Sequence, residues 1–150
     1  MDKKIAILLI LLAVGMVLFA ATGDESSSLV SYNDRSAEPI VRPVWEQVIT
    51  YTYDADDAGA VTESIPINGI LMKVILTLPD TTTDTTTEQL TIKDNGDNTI
   101  FDTGEKTEGE GVTYTYDLSE PISGTIDVTL EPSAASGDAV TTKTVTLRGI

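Results

Sequence analysis

The amino-acid sequence predicts an all-β fold, an antiparallel β-sandwich of about eight strands with jelly-roll or immunoglobulin-like connectivity, preceded by one N-terminal hydrophobic helix. Three observations predict it. From Val44 onward, apolar and polar residues alternate with period two in short runs. Turn-forming clusters punctuate those runs at intervals of roughly eight to twelve residues. Before them, Ile5 to Phe19 is apolar throughout, too uniform for a half-exposed helix of a small domain.

The N-terminal segment reads as export grammar. Lys3 and Lys4 precede the apolar run, and Ala20, Ala21, Thr22 and Gly23 lead to a polar Asp24. A cationic start stays on the cytoplasmic side while the apolar run enters the membrane. Residues 1–23 are thus expected to be a signal peptide or an N-terminal membrane anchor, with the domain secreted or held outside the cytoplasmic membrane. Asp24 to Pro43, rich in Ser, Asp and Glu, reads as a polar linker or arm. The β domain is expected over 44–150.

In the first run, Val44 to Tyr53, Trp45, Ile49, Tyr51 and Tyr53 share one face. A second runs from Ala60 to Ile67, and Asn68 with Gly69 predicts a tight hairpin turn. Ile70 to Leu78 is apolar on both faces, so a central strand covered on both sides is expected, ending at Pro79. Asp80 to Thr87 is a low-complexity polar loop. Leu90 and Ile92 alternate with Thr91 and Lys93, and the turn Asp94 to Asn98 returns the chain along Thr99 to Thr103. After a charged loop from Gly104 to Gly111, Val112, Tyr114, Tyr116 and Leu118 alternate with polar residues. Pro121 and Gly124 predict a further turn, Ile126, Val128 and Leu130 another strand, and Val140 to Arg148 the last.

Composition narrows the chemistry. The chain holds 24 acidic and 9 basic residues, a net charge of -15, without a basic run, so nucleic acid is not an expected partner. With no Cys and no His, thiolate nucleophiles, His-based acid–base pairs, lipid attachment at Cys and nearly all zinc sites are excluded. The Asp and Glu clusters stand in polar turns where solvent keeps them ionised, so no catalytic residue is assigned and no enzyme is expected. Asp94 to Glu105 resembles a calcium loop: Asp94, Asn98, Ile100 through its carbonyl, Asp102 and Glu105 fall at ligand spacing. Gly96 and Thr99 depart from that pattern, and a plain hairpin turn explains the same residues. Asp54, Asp56 and Asp57 form a lesser candidate. Calcium is the one cofactor considered. Trp45, Tyr51, Tyr53, Tyr114 and Tyr116 read either as core or as a sugar-stacking platform.

The pieces Ile49-Thr-Tyr-Thr-Tyr-Asp54, Ile65-Pro-Ile-Asn-Gly-Ile-Leu71 and Leu90-Thr-Ile-Lys-Asp94 before an Asn-Gly turn resemble small β-sandwich proteins from the structural gene modules of phages and related viruses. The resemblance spans Ile49 to Arg148. It implies strand and turn patterns, a place in a virion and no active-site residues. Two functions are therefore expected. The first is a structural or decorating subunit of a surface assembly or virion, homo- or hetero-oligomeric, with Leu29 to Trp45 as a candidate donated strand. The alternative is a secreted or membrane-anchored binding module for glycan or protein.

Overall fold

The computed structural model describes residues 26–34, 44–81, 86–108, 110–138 and 140–150. The expected N-terminal helix and the expected signal peptide or anchor over 1–23 lie outside the described residues. Among those described, no helix is long and apolar enough to cross a membrane.

Among the described residues seven antiparallel strands form one sheet: β1 (Ser26–Asp34), β2 (Val44–Asp54), β3 (Val61–Asp80), β4 (Thr87–Lys93), β5 (Thr99–Thr107), β6 (Glu110–Pro132) and β7 (Val140–Gly149). Their order is β1-β2-β7-β3-β6-β4-β5. The sheet folds over on itself because β3 and β6 are long enough to serve two layers. Residues 71–80 of β3 and 110–120 of β6 lie with β1, β2 and β7. Residues 61–70 of β3 and 121–132 of β6 lie with β4 and β5.

The seven strands replace the eight expected from the sequence. Asn68 and Gly69 make no hairpin, and Pro121 and Gly124 make no turn. The two pairs stand opposite each other, Ile67 against Gly124, Gly69 against Ile122 and Ile70 against Pro121. Residues that reverse a lone chain bend both strands of a pair when they occur in register, and the paired backbone carries on. Gly69 has φ 146°, and a Cβ there would stand 2.3 Å from the carbonyl oxygen of Ile150. That contact fastens the corner: the Ile70 and Ile150 amides each donate to the other's carbonyl, at 2.8 and 3.1 Å.

Inside the stretch read as a polar arm, Ser26–Asp34 is strand β1, paired along its length with β2. An edge strand gains its hydrogen bonds from the backbone alone, so a serine-rich sequence suffices. The domain accordingly includes residues upstream of Val44. The loop expected over Gly104 to Gly111 is also shorter, since β5 runs to Thr107 and β6 begins at Glu110. β3 is central, as expected, but its outer side is only partly covered, with Met72 39% exposed.

The core fills the space between the layers with Ile49, Tyr51, Tyr53, Leu71, Val74, Leu76 and Leu78 facing Ile65, Leu90, Ile92, Ile126, Val128 and Leu130, all buried. Two hydroxyls bridge it: Tyr51 donates to the carbonyl of Val128 at 2.8 Å and Tyr53 to that of Leu130 at 3.0 Å. Each satisfies a group that burial would otherwise strand, worth about 1 kcal/mol net.

Candidate functional site

The alternation that buries Leu90 and Ile92 on β4 also turns Glu88 inward, and the alternation that buries Val145 and Leu147 on β7 turns Lys143 inward. Glu108, between β5 and β6, completes a group of three whose side chains are at most 1% exposed. The Lys143 ammonium pairs with Glu88, lies 2.6 Å from Oε1 of Glu108, and stands 4.6 Å from the Tyr53 ring centroid. The Glu108 contact is close without hydrogen-bond alignment, and Oε2 of Glu88 also has no hydrogen-bond partner. Burial, opposed by Lys143 and assisted by Glu108, pushes the Glu88 carboxyl up to about 8. At neutral pH Glu88 therefore favours its protonated form. Glu88 lies in a strand, outside the acidic turn clusters, and parity rather than composition sets its environment.

The same end of the sandwich opens to solvent. A cleft of about 550 Å³ lies between the end of β3 and the start of β7, lined by Pro79, Asp80, Thr81, Asp138, Val140, Thr141 and Thr142. Thr81 and Thr141, each 4% exposed, form its inner wall, while Val140 is 58% exposed at the rim. Thr81 Oγ1 donates to Oε2 of Glu108 at 3.1 Å, which links the wall to the buried triad. Thr141 Oγ1 reaches the Tyr53 carbonyl at 3.5 Å.

The residues considered for calcium are divided between a self-bonded turn and an extended strand. Asp94 folds onto its own turn: Oδ1 accepts from the amides of Gly96 and Asn98 at 2.8 and 2.9 Å and from Nδ2 of Asn98 at 3.0 Å. The Asn98 side chain and amide hold the Asp94 carboxyl below its ordinary value, with Gly96 adding to them. Asp97 takes the left-handed conformation at φ 62° and pairs with Lys93 at 2.8 Å. Ile100, Asp102 and Glu105 lie along β5, where Asp102 accepts from Gln89 at 3.0 Å. An extended strand from Thr99 to Glu105 spans roughly 20 Å, whereas calcium gathers its ligands within about 2.6 Å. Among the described residues no group of three or more acidic side chains is placed to hold a metal. Asp54 and Asp57 likewise close their own turn, the Asp54 amide donating to Oδ2 of Asp57 at 2.9 Å.

The aromatic residues divide. Trp45, Tyr51 and Tyr53 are core. Tyr114 and Tyr116 are half-buried at the seam where β6 overhangs β5, with Phe101 edge-on to Tyr116 at 5.1 Å and Lys106 5.8 Å from the Tyr114 centroid.

No protein-family model and no curated protein matches the sequence. Among solved structures, TmCBM61 in complex with β-1,4-galactotriose aligns at 11% identity over 81% of this chain and 83% of its own, with a TM-score of 0.43. The CBM36-1 domain of a multidomain xylanase from the hindgut metagenome of Trinervitermes trinervoides aligns at 10% over 81% and 96%, with a TM-score of 0.40. PliG of Aeromonas hydrophila, a periplasmic inhibitor of g-type lysozyme, aligns at 8% over 86% and 89%, with a TM-score of 0.33. At these scores and identities no property passes from those proteins to this chain.

Proposed function

We propose that this chain is a non-catalytic binding module, acting outside the cytoplasmic membrane, whose ligand is a glycan held in the cleft between β3 and β7. The observation that carries the reading is the lining of that cleft. Thr81, Thr141 and Thr142 offer hydroxyls, Asp80 and Asp138 offer carboxylates, and the exposed Val140 offers an apolar rest. A polyhydroxylated ligand matches such a lining, since carboxylates and hydroxyls take its O–H groups while an isopropyl group packs on its C–H surface. The extracytoplasmic address rests on Lys3, Lys4 and the apolar run from Ile5 to Phe19.

Titration calorimetry of the full chain with a panel of soluble oligosaccharides tests the reading. At least one should bind, and Asp138→Ala should weaken it by tenfold or more without changing the melting temperature. Binding that is indifferent to both Asp138→Ala and Asp80→Ala, or no binding across the panel, would overturn it.

A further inference from the structure

A folded-over sheet leaves four strand edges, and three are blunted against added strands. The outer edge of β3 over 61–70 carries Glu63 and Pro66, and proline has no amide proton to donate. β5 carries Asp102, Glu105 and Lys106, and its pairing with β4 shifts register twice. β1 opens with Ser26, Ser27 and Ser28, where an added strand would cover little apolar surface. The fourth edge, the N-terminal part of β6, has none of these features. From Gly111 to Tyr116 it has no charge and no proline, its register against β3 is regular over 112–117, and no other strand among the described residues pairs with its outer side. Beneath it lies the seam that leaves Tyr114, Tyr116 and Phe101 half-buried.

We infer that two copies of this chain associate through this edge, pairing the outer sides of Val112 to Leu118 antiparallel about a two-fold axis. The strand is self-complementary. Centred on Thr115, the pairing sets Tyr114 against Tyr116 of the partner subunit and Val112 against Leu118 of the partner subunit. Both pairs lie on the inner face, so each seam is extended by the other's side chains. Charge selects the occupant. Two chains of net charge -15 repel, and over 112–118 this strand carries a single carboxylate, Asp117, which pairs with Lys73 at 3.0 Å and would stand opposite Thr113 of the partner subunit, so the backbones meet without bringing carboxylates face to face. Seven residues of strand across a two-layer edge cover roughly 400–500 Å² per copy, near the lower limit for specific association. Association is therefore reversible, in the micromolar range, and strengthened by salt, which screens the repulsion.

The chain has no cysteine, so single-cysteine variants report contacts without background. Thr115 is exposed on the outer face and would stand beside its own copy across the axis. The full chain carrying Thr115→Cys should give a disulfide-linked dimer under mild oxidation, at least tenfold more than Thr142→Cys in the middle of the same layer. In analytical ultracentrifugation of the cysteine-free chain, dimer should grow with concentration and with salt, and Thr115→Glu should raise the dissociation constant tenfold or more. A monomer at every concentration overturns the proposal. So does a dimer that cross-links equally through Cys at 142, or preferentially through Ser28→Cys on β1, or that ignores Thr115→Glu.

Discussion

Glu88→Gln keeps the shape and hydrogen-bonding capacity of a protonated glutamic acid and removes its titration. The fold holds the Glu88 carboxyl up at about 8 against an ordinary 4.5, chiefly through burial. A raised carboxyl value means that the native state keeps a proton the unfolded chain releases. The stability this contributes is fully present below pH 4.5 and is lost as pH rises through about 8. Each pH unit in that window removes about 1.4 kcal/mol, so from pH 5 to pH 8 wild type should lose on the order of 3–4 kcal/mol relative to the variant. For a domain of about 100 residues this corresponds to a relative fall in melting temperature of roughly 15 °C. Contributions from acidic groups remote from Glu88 cancel in the difference between the two chains. Urea unfolding followed by far-ultraviolet circular dichroism at four pH values measures it. A difference between wild type and variant that stays constant across those values would refute the assignment of a buried, protonated Glu88.

Lys143→Met leaves Glu88 and Glu108 buried without their cation, and should cost about 3–5 kcal/mol at neutral pH in the same assay. Replacing the whole triad, with Glu88→Leu and Glu108→Leu added to Lys143→Met, should return stability to within about 1 kcal/mol of wild type or above it. For the Asp94 turn, adding calcium or a chelator should leave the thermal midpoint unchanged, whereas Asp94→Ala should lower stability by about 1 kcal/mol through loss of the turn's own hydrogen bonds.

Much of the layer architecture was legible because burial in a strand follows parity. Trp45, Ile49, Tyr51 and Tyr53 are all inward, as their spacing predicts. Turn chemistry misled where it was judged one strand at a time. Asn68 and Gly69 look like a reversal until Ile122 and Gly124 are placed across from them, and that pairing belongs to the fold rather than to either segment. Parity also foretold Glu88 and Lys143, which share the phase of Leu90 and of Val145, but the weight of acidic surface residues obscured two charges written into apolar positions. The cleft was not legible, since it joins residues 79–81 to residues 138–142, which only the finished sheet makes neighbours.

The strand order has a consequence for how the chain acquires its structure. β7, the last of the seven described strands in chain order, sits between β2 and β3, with Trp45 opposite Gly149 and Val74 opposite Leu147. Until it arrives, β2 and β3 each expose an unpaired edge, and the segment from Ile70 to Leu78 is among the most apolar of the domain. Contacts spanning about a hundred positions close late and slowly. The sandwich is therefore completed by its final strand, and a shortened or stalled chain lacking it would present two open, aggregation-prone edges instead of a domain.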